Sequence, residues 1–152
     1  MKKNVPIQVQ IIKCGTPAYA LVVALRQIIL RNPLGLYLTT TDLENDKNDH
    51  IIAAIKNGVV IGCCHLTPQP NKVLKLRQMA VAAEHQGNKI GAGILQYADK
   101  VGVEFGYNNI TMHARLTAVD FYKINGYKVV GKQFDEVGIP HILMKKMLEV
   151  AV

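Results

Sequence analysis

The chain has 152 residues, carries a formal net charge of +7 and is 49% hydrophobic, enough for one domain around a single sizeable core and too apolar for disorder. Its longest apolar runs fall far short of the roughly 20 residues of a membrane span, and Met1 to Gln10 has charge but no signal-peptide hydrophobic region, so a soluble cytoplasmic protein is expected. The basic charge favours polyanionic partners such as nucleic acid, acidic lipid or a phosphorylated cofactor, but the lysines are scattered rather than gathered in an arm.

Val5, Ile7, Val9 and Ile11 alternate with Gln8 and Gln10, the period of a strand with one polar face. Thr16 and Pro17 then open a helix in which Leu21, Ala24, Leu25 and Ile28 repeat at helical spacing, and which stops before Pro33. From Asn32 to Asn48 the chain reads as a loop with one short helix, rich in acid at Asp42, Glu44, Asp46 and, just beyond, Asp49. Two strands, His50 to Ile55 and Val59 to Leu66, flank Asn57-Gly58, the strongest short hairpin signal; Pro68 and Pro70 end that hairpin. A fourth strand runs from Lys72 to Ala82, followed by a helix containing Ile90, Ile94, Leu95, Ala98, Val101 and Phe105 and closed by Gly106. Asn109 to Ala114 reads as strand five, Leu116 to Asn125 as the last helix, Tyr127 to Lys132 as strand six and Ile139 to Met147 as strand seven. No repeat or linker divides this mixed α/β series, so residues 1–152 are expected to form a single domain.

Cys14, Cys63 and Cys64 are an odd count, and adjacent strand residues face opposite ways, so buried thiols are expected rather than a disulfide framework. No C-x-x-C or H-x-x-H spacing supports zinc, and no metal is expected.

The stretch "EHQGNKIGAGIL" bends the chain from strand four into the following helix. Such a bend presents the first, unpaired N–H groups of a helix at the positive end of its dipole, a site suited to phosphate. Gly87 lets the backbone turn and approach a ligand, Gly91 removes a side chain at the helix start, Gln86 can cap or donate, and Lys89 adds a positive charge. The nucleotide-loop pattern G-x-x-x-x-G-K-[ST] and the dinucleotide pattern G-x-G-x-x-G are both absent. An ordinary strand-helix turn without ligand is the alternative reading of the same residues.

"LRQMAVAAEHQGNKIGAGIL" followed by "FYKINGYKVV" resembles the GNAT superfamily of acetyl-coenzyme A dependent N-acetyltransferases, and "LRQIILRNPLG" with "GIPHILMKK" resembles one bacterial branch of it with largely undefined substrates. The resemblance extends over nearly the whole chain. It implies a single-domain GNAT-like fold with about seven strands in a mixed, mostly antiparallel sheet flanked by helices. It also implies acetyl-coenzyme A as acetyl donor. Met79, Ala80 and Val81 would offer backbone groups to the pantetheine arm, and Gln86, Gly87, Asn88, Lys89, Ile90 and Gly91 would surround the pyrophosphate. Tyr122 matches the family tyrosine beside the coenzyme sulfur. Two positions depart from the pattern: Lys89 stands where a loop glycine is usual, and Arg115 where many members have Asn.

Acetyl transfer to an amine requires a neutral amine, a polarised carbonyl and a protonated leaving thiolate. A backbone N–H near Ala80 or Val81 can polarise the thioester oxygen. Tyrosine, with a reference pKa of about 10 against roughly 8.5 for a thiol, keeps a proton that Tyr122 can donate as sulfur leaves. Lys75, Arg77 and Gln78 on strand four supply no carboxylate base, which leaves His113, His141 or a water chain. The acid at Asp42, Glu44, Asp46 and Asp49 hints at a cationic acceptor amine, with a solvated loop as the ordinary explanation. The expected partner is a small-molecule or peptide amine, with no membrane. A nucleic-acid module is disfavoured by the absence of Trp and an aromatic content of 6%. A catalytically silent coenzyme A binding sensor or partner domain is the alternative function, and a homodimer through strand edges is compatible with the pattern.

Overall fold

The computed structural model describes residues 5–149. Seven strands form one sheet in the order β1-β2-β3-β4-β5-β7-β6: β1 Gln8–Ile12, β2 His50–Lys56, β3 Val59–Gln69, β4 Val73–Val81, β5 Asn109–Arg115, β6 Lys128–Glu136 and β7 Ile139–Met147. The helices are α1 Pro17–Arg26, α2 Thr40–Asn45, α3 Ile90–Glu104 and α4 Val119–Ile124. The chain divides into two compact units, one holding residues up to 66 with 78–98, the other 67–77 with residues from 99 onward.

In the first unit, the Thr16 side chain accepts from Tyr19 N and Pro17 fills the first turn of α1, a cap that satisfies an otherwise orphan donor. The helix runs into a π turn at Gln27–Arg31 and a short 3-10 turn at Asn32–Leu34. Gln27 stabilises the chain beyond: its amide donates to Leu36 O at 2.9 Å and its oxygen accepts from Leu38 N at 2.9 Å. β1 pairs antiparallel with β2, and β2 with β3. Asn57 and Gly58, both at positive φ, make the turn between them, as the sequence signal demands. Val22 and Leu25 of α1 bury against Ile51, Ala53, Cys63 and Ala80.

In the second unit, β4 and β5 run parallel from Val73↔Asn109 to Leu76↔Met112. β5 pairs antiparallel with β7, and β7 with β6. Alternation along these strands buries Leu74, Leu76, Ile110, Met112, Ala114 and Met144 on one face. Lys75, Thr111, His113, Arg115, Leu143 and Lys145 lie on the other, only partly buried.

Several boundaries differ from the sequence expectation. β1 starts at Gln8 rather than Val5. β3 continues through Pro68 to Gln69, since a proline near a strand's end need not donate to the ladder. The last helix is a 3-10 turn, Leu116–Ala118, before α4, and neither start has a side-chain cap. β6 extends beyond Lys132 to Glu136, because an irregularity between Val129 and Gln133 interrupts its pairing, which then resumes. Cys63 and Cys64 are buried free thiols, whereas Cys14, expected to be buried, is exposed in the turn after β1.

Candidate functional site

Beyond β4 the chain makes a short 3-10 turn at Ala83–His85, then a polar turn through Gln86, Gly87, Asn88 and Lys89 into α3. All four turn residues are exposed, and Ile90 is buried as the anchor of the helix. Gln86 Nε2 donates to Val81 O at 3.0 Å, tying the turn to the strand end. Gly87 has φ +87, and a side chain built there meets no atom within 4 Å. Lys89 has φ 63, so the lysine in the usual glycine position takes the left-handed backbone a glycine would. The first intrahelical bond is donated by Gly93 to Lys89 O. The N–H groups of Ile90, Gly91 and Ala92 therefore precede the helical ladder and carry the positive end of the dipole.

On β4, Gln78 has φ 55, an uncommon conformation for a residue other than glycine. It falls two residues past Leu76, where the parallel register with β5 ends. Within the first unit its backbone oxygen accepts from Cys63 Sγ at 3.4 Å, and its side-chain oxygen from Arg26 Nε at 3.4 Å. Met79 and Val81 are half-buried and Ala80 is buried.

Arg26 leads into a buried polar network that the sequence did not reveal. Its guanidinium donates to Asp46, as does the Tyr19 hydroxyl at 2.6 Å, while His65 Nδ1 lies 3.0 Å from Asp49 and 3.5 Å from Asp46. Burial and the bond to Asp46 hold the Tyr19 hydroxyl well above its ordinary pKa, and burial pushes the Cys63 thiol up to about 12. Asp46, Asp49 and His65 bring one ligand atom each within 4.8 Å of one another, a spacing that suits a cation; the Arg26 guanidinium is the cation seated on Asp46. The acid run of the loop is thus largely consumed. Asp42 completes a capping box with Thr39, and Asp46 and Asp49 serve this network.

In the second unit, Tyr122 is buried on α4, edge-to-face with Tyr127 at 5.8 Å and with Phe121 at 5.1 Å. Arg115 ends β5 at the start of the 3-10 turn. His113 of β5 and His141 of β7 converge on Glu136 at the end of β6: His113 Nδ1 is 2.9 Å and His141 Nε2 3.6 Å from its carboxylate. His141 Nδ1 donates to Ile139 O at 2.7 Å. Burial alone raises the Glu136 pKa, but the bond from His113 and the nearby His113, His141 and Lys75 lower it overall. Phe134 packs edge-on to His113 and stacked on His141. Glu136 carried no signal in the sequence; the β6-β7 and β5-β7 registers together bring it to the two histidines.

Among the described residues no helix is long and apolar enough to cross a membrane. Residues 37–148 match the family model described as Acetyltransferase (GNAT) domain. An uncharacterized N-acetyltransferase of Bacillus subtilis, YjcF, is 34% identical over 73 residues, covering 47% of this chain and 52% of that protein. The chain thus spans about half the length of that curated relative. A Lactobacillus plantarum crystal structure provisionally described as an N-acetyltransferase is 26% identical, with a TM-score of 0.82 over 93% of this chain and 99% of that one. A GNAT acetyltransferase from Elizabethkingia anophelis, solved with acetyl-CoA bound, shares the fold at a TM-score of 0.73 and 18% identity, over 96% of this chain and 100% of that one. With the model matching most of its length, the chain belongs to the GNAT acetyltransferase family.

Proposed function

We propose that the chain is one acetyltransferase domain that moves an acetyl group from acetyl-coenzyme A to a primary amine. The observation that carries the reading is the turn at Gln86 to Gly91, in a chain of this family. It has positive φ at Gly87 and Lys89, open space around a Cβ at Gly87, and N–H groups at Ile90, Gly91 and Ala92 ahead of the first intrahelical bond of a 15-residue helix. That arrangement fits a pyrophosphate, because donors and dipole both point at the anion. Lys89 adds a charge without giving up the glycine-like backbone.

Met79, Ala80 and Val81 are the residues to hold the pantetheine arm, since the β5 register ends before them and leaves their strand to pair with an extended ligand. The coenzyme supplies an acyl group activated as a thioester. The proposed proton donor for the departing sulfur is the Tyr122 hydroxyl, and the proposed donor to the oxygen that gains negative charge is the backbone N–H of Ala80 or Val81.

Titration with acetyl-coenzyme A tests the reading. A ligand of the native state raises the melting temperature by mass action. Gly91→Glu should lose that shift while remaining folded, because the new carboxylate repels phosphate at the helix end. No shift at saturating coenzyme, with none co-purified, sinks the proposal. A shift without free-thiol release across a broad amine panel leaves a coenzyme-binding sensor.

A further inference from the structure

We propose that the acceptor amine carries an anionic group, held on the open face of β4, β5, β7 and β6, and that its nitrogen loses its proton to His113. This rests on the transferase reading above and adds the substrate class to it.

The register puts Lys75 opposite Thr111, Thr111 opposite Lys145, and Lys145 opposite Lys128, a row across four strands. Directly opposed residues share a face, and like charges so placed cost stability. Alternation adds Arg77 and Arg115 to the same face. Among the described, regularly paired residues of these strands, Glu136 is the one carboxylate on that face, and His113 and His141 both engage it. On the opposite face Lys146, by contrast, is bonded to Asp99. Of the loop acids, Asp42, Asp46 and Asp49 are committed to a capping box and a buried network, and Glu44 lies exposed on α2. On the face of β4, β5, β7 and β6, the charge left to meet a ligand is positive.

His113 is the first residue of this face beyond the end of the parallel register at Leu76↔Met112, and ligands of open α/β sheets gather at the carboxyl ends of parallel strands. His113 Nδ1 lies 2.9 Å from Glu136 Oε1, and a neutral imidazole that donates Nδ1–H to a carboxylate presents its lone pair at Nε2. Its side chain is 30% exposed, so a substrate can reach it, whereas that of His141 is 6% exposed and acts on Glu136 as a positioning residue. Val137, beside Glu136, is a β-branched residue at φ 48, and backbone strain of this kind clusters at functional sites. In the transfer, the nitrogen lone pair forms the C–N bond to the acyl carbon. The C–S bond breaks with its pair going to sulfur, the proton released from nitrogen passes to His113 Nε2 and then to solvent, and sulfur takes up a proton.

Charge-matched amines test this: 4-aminobutanoate, butylamine and 1,4-diaminobutane, with O-phosphoethanolamine as a second anion. Thiol release from acetyl-coenzyme A is measured alongside amide NMR shifts at Lys75, His113 and Lys145. The anionic amines should shift those residues and turn over about tenfold faster than butylamine, the discrimination expected of one well-placed charge-assisted contact. Lys145→Gln should reduce that preference, and added imidazole should restore turnover to His113→Ala. A diaminobutane rate equal to or above that of 4-aminobutanoate overturns the proposal, as do shifts that do not depend on ligand charge, or no shifts with either anion. Wild-type turnover in His113→Ala removes the base. Should acetyl-coenzyme A fail to bind, the transferase reading falls, and the anion-specific shifts, read on the coenzyme-free chain, decide the anion site separately.

Discussion

The guanidinium of Arg26 lies 2.7 Å from the carboxylate of Asp46, and both side chains are all but sealed from water, at 1% and 4% exposure. Removing one partner strands the other as an unpaired buried charge, which typically costs about 3 to 5 kcal/mol. Arg26→Met should lower the urea-unfolding free energy by that amount. The double variant Arg26→Met, Asp46→Leu removes both charges and should recover part of the loss, which also keeps the test readable where the single variant fails to fold. A single-variant loss under about 1 kcal/mol, the range of an exposed pair, would show that the pair contributes little.

Acid should weaken the first unit through His65. Burial, acting against the hydrogen bond to Asp49, lowers its pKa below the ordinary value. Between the folded and unfolded pKa values the unfolded chain binds the extra proton, so stability rises with pH there. The contribution is complete above about pH 6.5 and is lost as pH falls toward the folded pKa, at up to about 1.4 kcal/mol per pH unit. Urea midpoints from pH 7.5 to 5.5 should fall, and in His65→Gln they should fall less steeply. His50, lowered by burial as well, accounts for the slope that persists. Equal slopes in the two proteins exclude His65.

Tyr122→Phe keeps the buried ring between Phe121 and Tyr127 and deletes a single hydroxyl. As general acid, the hydroxyl contributes about 10²- to 10⁴-fold, roughly 3 to 5 kcal/mol of barrier. The loss should fall on kcat, with coenzyme affinity unchanged. A purely structural hydroxyl instead lowers stability by about 1 kcal/mol and spares turnover. Melting temperature, affinity and turnover on one preparation separate the two outcomes.

The turn joining β6 to β7 is Val137-Gly138, both at positive φ, a geometry for which Asn-Gly is the favoured pair. Val137→Asn should stabilise the protein by about 1 kcal/mol, since Asn tolerates the left-handed region that a β-branched residue resists. Thermal unfolding checks it. No gain would mean that the Val137 side chain, exposed at 57%, makes contacts that offset the strain.

What could be read in the sequence was local. Asn57-Gly58 specified its hairpin through the φ values those residues tolerate, and Thr16-Pro17 specified a helix start. The bend from Gln86 to Gly91 was visible because glycines mark unusual backbone, yet the left-handed conformation of Lys89 was not, since a lysine does not announce it. Arg26, at the end of α1, carried no signal of its role in the sequence. Its burial depends on Asp46, 20 residues away, and on Gln78, 52 away. His113 and His141 were candidate bases on chemistry alone; their common partner Glu136 needed the register of two strands to be known. The roles of the loop acids were not legible, because composition cannot distinguish a carboxylate facing solvent, as Glu44 does, from one committed to a cap or a buried cation, as Asp42 and Asp46 are.

The irregularity in β6 between Val129 and Gln133 has a consequence for how molecules meet. β6 is an outermost strand of the sheet, and such a strand offers a row of backbone groups on which another chain can crystallise as the next rung, most readily when it is flat and apolar. Val129 and Val130 are apolar and exposed at 39% and 51%. The register of the pairing shifts between Val129 and Gln133, and Lys128 and Lys132 flank the two valines with charge. A neighbouring molecule that tried to extend the ladder there would meet broken spacing and two lysines to desolvate, so this border resists fibrous growth at its most adhesive point.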